Sequence, residues 1–316
     1  ALISKHYRPD ELKSLIESLK AAEIEEIKKI GLIENHTDIK DISIEDLLAR
    51  EPKDLDTETV ARFISGKTVL ITGAGGSIGS EITRQCARFG AKKLILVENG
   101  EYNLYKISDE LSGFESANKL VSVTDKERLA KVFDEFRPQI VIHAAAYKHV
   151  PLAEENIDET VNNNIFGTKN ALEAAIEFGA EKFVLISTDK AVRPTNVMGT
   201  TKRICELIAQ NVKQKYPNSK TEIAAVRFGN VIGSSGSVIP KFKEQIAAGG
   251  PITVTHPDIE RYFMLISEAC ALVLQAAAIA EGGEIFILDM GERVKIIDVA
   301  KKMLELTHKE HDIKIV

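Results

Sequence analysis

Residues 187–190 read Ser-Thr-Asp-Lys, so a hydroxyl, a carboxylate and an ammonium stand at three consecutive positions, Thr188, Asp189 and Lys190. Lys202 follows twelve residues after Lys190, and Met198 lies four residues before Lys202, one helical turn back on the same face. Adjacent Asp and Lys can serve as acid and base, or can pair as ions at a strand end. Met198 has no exchangeable proton, so it cannot be a base, and core packing is a sufficient account of it. His143 sits in an apolar run and reads as a core residue, whereas His149 and His256 fall in loops where nothing nearby completes a metal site.

These residues must be held by something, and from Lys67 onward the chain alternates short Val/Ile/Leu runs with helix-length amphipathic stretches. The runs are KTVLIT (67–72), KLILVE (93–98), KLVSV (119–123), QIVIHAAA (139–146), KFVLIS (182–187) and EIAAVRF (222–228). Each is too continuously apolar for a half-exposed strand, which suits parallel strands covered on both faces and predicts a doubly wound α/β sheet of Rossmann type. PITVT (251–255) and EIFILDM (284–290) read as further strands of a smaller C-terminal lobe. Three segments result. Residues 1–64 form an N-terminal helix and linker, with a helix from Asp10 to Ile30 stopped by Gly31, the tail of an upstream region; 65–229 form a dinucleotide-binding domain; and 230–316 form mainly a substrate-binding lobe. Ser187 ends the fifth run, so Thr188, Asp189 and Lys190 project from the carboxyl edge of the sheet, where open α/β sheets bind ligands. Beyond Pro194 a helix carries Met198 and Lys202, and a lysine there can hydrogen-bond a nicotinamide ribose.

ITGAGGSIGSEI follows the first strand and opens a helix, with Gly73, Gly76 and Gly79 spaced GxxGxxG and Gly75 additional. Glycines there permit a tight turn and bring backbone N–H groups, with Ser77 and Ile78 opening the helix, up to a pyrophosphate. The second strand ends in Glu98, followed by Asn99, where a carboxylate can accept both hydroxyls of an adenosine ribose. No arginine follows to receive a 2′-phosphate, which favours NAD over NADP. Asp125 can meet the adenine or can cap the next helix. Ala144, Ala145 and Ala146 end the fourth run, where small side chains let the cofactor lie close.

The formal net charge is −6 with both signs spread along 316 residues, which leaves no basic stripe for a nucleic-acid partner. Cys86, Cys205 and Cys270 form no CxxC pair and read as buried thiols of a reducing compartment. No apolar run approaches the roughly 20 residues of a bilayer span, so this stretch reads as cytoplasmic and as making no membrane contact. The chain begins at alanine, in the manner of a piece of something longer.

TGAGGSIG, HAAAYKHVP, NNNIFGTKN and STDKAVRPTNVMGTTK together resemble the extended short-chain dehydrogenase/reductase superfamily, and within it the bacterial nucleotide-sugar 4,6-dehydratases acting on UDP-N-acetylglucosamine. The resemblance covers roughly residues 40–316 and rests on specific motifs, because the STDKA cluster belongs to the dehydratase branch. It departs from the superfamily pattern YxxxK at the tyrosine, which here is Met198. That departure resembles the long, membrane-anchored dehydratases that retain configuration at C5. It implies a lyase of surface-glycan and protein-glycosylation pathways, a homodimer, and a parent protein anchored to the inner membrane and facing the cytoplasm.

The chemistry implied is loss of water inside a closed redox cycle. Hydride leaves C4 for NAD+, Lys190 removes the C5 proton, Asp189 protonates the departing C6 hydroxyl, and hydride returns to C6. For this, burial is expected to hold Lys190 neutral and Asp189 protonated. Thr188 is left to hydrogen-bond the C4 hydroxyl, whose proton passes to Asp189 or to water linked to Lys202. The resemblance gives Asn164 a steadying place beside the cofactor and puts Asn230, Val238, Lys241, Thr253 and Arg261 around the sugar nucleotide. It also implies a glycine- and arginine-containing segment beyond HDIKIV that helps close the uridine pocket. A nucleotide-sugar epimerase and a catalytically silent NAD-binding module are the competing readings.

Overall fold

The computed structural model describes residues 2–3, 9–22, 28–33, 36–41, 55–232, 234, 238–307, 309 and 312–316. Seven parallel strands form the main sheet: β1 (Thr68–Thr72), β2 (Lys93–Glu98), β3 (Ser116–Leu120), β4 (Ile140–His143), β5 (Lys182–Ile186), β6 (Glu222–Arg227) and β7 (Ile285–Ile287). Their order across the sheet is β7-β6-β5-β4-β1-β2-β3. The connection reverses direction between β1 and β4, which opens the crevice where doubly wound sheets take their ligands. β4 and β5 are buried at every position, and all but the first residue of β2, so the continuous apolar runs do mark strands covered on both faces. The helices that matter below are α1 (Ser77–Arg88), α2 (Glu101–Glu110), α3 (Lys126–Phe136), α4 (Gly167–Glu177) and α5 (Val197–Gln210).

β3 departs from the expected 119–123. It pairs three residues earlier, with Leu120 opposite Glu98, because an edge strand takes its register from its one neighbour. Val121 and Val123, whose apolarity suggested a strand, lie past its end, with Val121 N–H still donating to Glu98 O at 3.0 Å, and are buried with Leu129, Val132 and Phe133 of α3. β4 stops at His143 rather than running to Ala146. Only Ala144 keeps the ladder, its N–H donating to Thr72 O at 3.1 Å.

The chain resolves into two compact units, residues 54–229 with 269–289, and residues 1–53, 230–268 and 290–316. The expected C-terminal lobe therefore gives up 269–289 to the first unit, since β7 pairs with β6 in register Ile285 to Ala225. In the second unit Asn230–Ile232 pairs parallel to Glu260–Leu265, which pairs antiparallel to Arg293–Lys295. The expected strand 251–255 reduces to a single bridge, Ile252 to Ile315, with Ile252 N–H donating to Lys314 O at 2.9 Å and Val254 N–H to Val316 O at 2.7 Å. The N-terminal helix spans Pro9–Ala21, and Gly31, expected to stop it, lies inside a strand, Lys28–Ile33, paired with His36–Asp41. Leu12 and Ile16 of that helix are buried against Leu306. The cysteines Cys86, Cys205 and Cys270 are buried free thiols.

Candidate active site

The glycine turn after β1 is built by close approach. Gly73 has φ +65°, and a Cβ on it would sit 2.8 Å from Ala145 N, so this turn and the end of β4 require a glycine. A Cβ on Gly79 would fall 2.0 Å from Gly73 O, which fixes α1 against the turn. Gly76 differs. Its φ is −70°, open to any residue, and a Cβ there meets only Gly73 O at 3.3 Å. Packing therefore does not explain Gly76. It is the N-cap of α1 and offers no side chain to its first N–H groups, which leaves the positive end of a twelve-residue helix open to an anion. Ser77 and Ile78 are the first residues of that helix. These features fit a dinucleotide pyrophosphate. Gly76→Ala is expected to fold with its Tm changed by no more than about 3 °C, while dinucleotide affinity measured by fluorescence titration falls roughly tenfold or more.

Glu98 is 7% exposed at the end of β2. Its Oε1 accepts from the backbone N–H groups of Asn99 and Gly100 at 3.0 Å each, and its Oε2 from Gly75 N–H at 3.0 Å. One acceptor position on Oε2 is left by this count, enough to receive a ribose hydroxyl. Asp125 is the N-cap of α3, with Oδ1 accepting from Arg128 N–H at 3.1 Å.

At the end of β4, Tyr147 is held by its backbone. Asn164 Oδ1 accepts from Tyr147 N–H at 2.8 Å, and Asn164 Nδ2 donates to Tyr147 O and to Thr201 Oγ1, both at 3.0 Å. With Asn163 Nδ2 donating to the same Oδ1 at 3.1 Å, the hydrogen-bonding capacity of this buried amide is taken up inside the protein. Asn164 thus ties the β4 loop to α5 through its side chain. It lies in a π-helical turn, Asn162–Phe166, a deviation common at functional sites. The next residue in the loop, Lys148, was not singled out from sequence. Burial and then the charge of Lys190 lower its pKa, so a second lysine stands within electrostatic reach of the acid–base cluster.

β5 and β6 extend their pairing past their ends, with Ser187 N–H donating to Val226 O at 2.7 Å and Asp189 N–H to Phe228 O at 3.1 Å. This carries Thr188, Asp189 and Lys190 out on the carboxyl edge, as expected. Thr188 Oγ1 donates to Asp189 Oδ1 at 2.9 Å, and Lys190 Nζ to the same oxygen at 3.1 Å. Each side chain of the Asp189–Lys190 pair is 34% exposed. The pair is therefore half-open and ion-paired, where a desolvated neutral pair was expected. α5 abuts it closely. Asn196 caps the helix through Oδ1 to Gly199 N–H at 2.8 Å, and a Cβ on Gly199 would come 2.3 Å from Lys190 O.

Met198 is 3% exposed and Lys202 6% exposed on that helix. Burial lowers the Lys202 pKa, while Cys205 and Glu206 oppose the shift. Behind them His143 is the core residue expected, stacked on Phe183, with Nδ1 2.7 Å from Thr72 Oγ1 and Nε2 2.9 Å from Thr168 Oγ1. Burial, then the Lys202 charge, push its pKa down to about 3. The unfolded chain takes up this proton near pH 6.5 and the folded one does not. Stability is therefore full above about 6.5 and is lost as pH falls toward 3, by up to about 1.4 kcal/mol per pH unit. Urea titrations between pH 7 and 4 should show this slope in the wild type and a shallower one in His143→Gln.

The residues expected around the sugar nucleotide lie together in the second compact unit. Val238 opens a helix, Val238–Ala247, that also carries Lys241; its Gln245 donates through Nε2 to Thr253 Oγ1 at 2.8 Å. Asn230 and Arg261 sit on the paired strands Asn230–Ile232 and Glu260–Leu265, and Arg261 Nη1 donates to Glu260 O at 2.8 Å. Gly233 and residues 235–237 of the same expected lining lie outside the described residues. Among the described residues no helix is long and apolar enough to cross a membrane.

A family model described as polysaccharide biosynthesis protein matches residues 69–316. The capsular polysaccharide biosynthesis protein CapD of Staphylococcus aureus is 52% identical over 306 residues, covering 95% of this chain and 50% of that protein. A UDP-N-acetylglucosamine 4,6-dehydratase (inverting) of Campylobacter jejuni subsp. jejuni is 34% identical over 250 residues, covering 78% of this chain and 74% of that one. The X-ray structure of Pen from Bacillus thuringiensis aligns with TM-score 0.75 at 36% identity, covering 80% of this chain and 77% of that one. The chain spans about half the length of the first curated relatives it matches.

Proposed function

Because the chain belongs to the polysaccharide biosynthesis protein family of extended short-chain dehydrogenases/reductases, we propose that it dehydrates UDP-N-acetylglucosamine across C5 and C6. The product is a UDP-4-keto-6-deoxy-N-acetylhexosamine with its C5 configuration retained. The observation that carries this reading is Asp189 and Lys190 held side by side on the sheet edge, 3.1 Å apart, with Thr188 bonded to the same carboxylate.

NAD+ is the cofactor, and when bound it supplies a reversible hydride acceptor for C4. Gly73, Gly76 and Gly79 shape its pyrophosphate seat, with Ser77 and Ile78 at the helix start; Glu98 beside Asn99 takes the ribose, and Ala144, Ala145 and Ala146 give it room. Lys202, kept cationic, holds the nicotinamide ribose, with Met198 packed one turn earlier. Thr188 hydrogen-bonds the C4 hydroxyl and orients it; as C4 is oxidised the hydroxyl proton passes to water linked to Lys202, and that proton restores Asp189 once the acid has protonated the C6 oxygen. A sugar covering the half-open pair removes water from it, which favours the uncharged arrangement of two adjacent opposite charges. The proton then crosses from Lys190 Nζ to Asp189 Oδ1 along their existing hydrogen bond. One transfer prepares both partners, leaving Lys190 a free amine to take the C5 proton and Asp189 an acid to release the C6 hydroxyl as water. Lys190 returns its proton to C5 from the same face, which retains configuration. Met198 in the tyrosine position supports this branch.

Asn230, Val238, Lys241, Thr253 and Arg261, all of the unit made of 1–53, 230–268 and 290–316, bind the nucleotide portion. The longer protein sits at the cytoplasmic face of the inner membrane and pairs as a homodimer. Incubation with UDP-N-acetylglucosamine followed by mass spectrometry tests the reaction class. A product lighter by one water is expected. A product of unchanged mass with altered chromatography would select an epimerase, and no product would leave an NAD-binding module.

A further inference from the structure

One buried carboxylate beside this cluster has no part in the proton transfers. Glu206 is 0% exposed on α5, one turn beyond Lys202. Its Oε1 accepts from Ser187 Oγ at 2.6 Å and Arg227 Nε at 2.7 Å; its Oε2 accepts from Arg227 Nη2 at 2.6 Å and Arg203 Nη1 at 3.0 Å. Four donors saturate it. They come from structurally decisive places. Ser187 immediately precedes Thr188. Arg227 ends β6, and Phe228 beside it supplies the carbonyl that receives Asp189 N–H. Arg203 is the neighbour of Lys202 in the chain. We infer that Glu206 is a positioning residue for the reaction, its carboxylate fixing the Lys202 helix against the two strand ends that carry Thr188, Asp189 and Lys190.

The physical case rests on what a buried ion cluster adds. For stability alone, apolar side chains of equal volume serve as well, because desolvating the ions consumes most of their attraction. Charge-assisted hydrogen bonds add direction and distance, and catalysis depends on both. Glu206 also stands as a fixed anion one turn from Lys202. The groups whose charges act on Lys202 are Cys205 and Glu206 of its own helix and His143 of β4. Burial raises the Cys205 pKa and lowers that of His143, so at neutral pH both are uncharged and Glu206 is the charge that keeps Lys202 an ammonium.

The inference rests on the dehydratase reading for its turnover readout, and on NAD affinity alone for its second. Ser187→Ala deletes one of the four hydrogen bonds and leaves both arginines paired. It is expected to keep its Tm within about 3 °C and its NAD affinity, while kcat falls roughly tenfold with KM little changed. Glu206→Gln keeps the shape and removes the charge. The loss of NAD affinity with rising pH should then begin at lower pH than in the wild type, because Lys202 deprotonates sooner. A Ser187→Ala protein with wild-type kcat, or one that loses kcat only in step with its Tm, overturns the inference. So does a folded Glu206→Gln protein whose NAD affinity keeps the wild-type pH dependence. Should Glu206→Gln fail to fold with Arg227 unpaired, the Ser187→Ala result decides. A wild type that binds NAD but turns over no sugar removes the dehydratase reading and leaves the pH comparison to judge Glu206.

Discussion

Lys190→Ala is expected to abolish hydrogen exchange at C5 of the sugar, lowering dehydration by about 10³-fold or more, while NAD remains bound with wild-type affinity. The lysine is the one group in the proposed scheme that touches the C5 hydrogen. Thr188 Oγ1 already donates to Asp189, and Met198 has no proton to exchange. Lys148, the other amine within electrostatic reach, belongs to the loop after β4, which Asn164 pins through Tyr147. Loss of a general base ordinarily costs about 10²- to 10⁴-fold, and here the same lysine, its ammonium protons exchanging with solvent, must also return a proton to the same face. Solvent exchange at C5, followed by NMR, reads this step without interference from product release. Exchange at the wild-type rate in Lys190→Ala would assign the base elsewhere.

Asp189→Asn is expected to separate two events that the wild type couples. The amide cannot protonate the C6 hydroxyl, so water loss falls by about 10²- to 10³-fold. C5 exchange should persist at a measurable, slower rate, because the asparagine oxygen can still hold Thr188 and Lys190 by hydrogen bonds while Lys190, with no carboxylate to take its proton, must lose it to solvent. Deuterium would then accumulate at C5 of unreacted substrate. The opposite pattern, undiminished product with no exchange into substrate, would show that Asp189 is only the ion partner of Lys190. The two variants together distinguish a paired acid and base from a surface salt bridge, whose loss would cost little.

Much of this frame is visible in the residues themselves. β2 begins and ends where KLILVE does, because a doubly buried strand must be continuously apolar and Glu98 closes it. The glycine turn was legible because its spacing after an apolar run is a local pattern, and Gly73 and Gly79 answer steric demands that no other residue meets. Thr188, Asp189 and Lys190 were legible because they are consecutive. What escaped was whatever depends on partners distant in sequence. β3 slid by three residues because β2 sets its register. The strands Asn230–Ile232, Glu260–Leu265 and Arg293–Lys295 are short and partly exposed, with no alternation long enough to read. β7 joined the first unit through a pairing sixty residues away in the chain. The Glu206 cluster draws on positions 187, 203 and 227, which share no local pattern, and the role of Asn164 appeared only when Tyr147 and Thr201 were seen to meet on it.

The most direct measurement is incubation of the wild-type protein with UDP-N-acetylglucosamine in deuterated water, with the sugar followed by NMR. The account predicts a 4-keto sugar lacking its C6 hydroxyl, with C5 configuration unchanged and one solvent deuterium at C5. A sugar recovered unaltered, or altered only in configuration at C4, would contradict it.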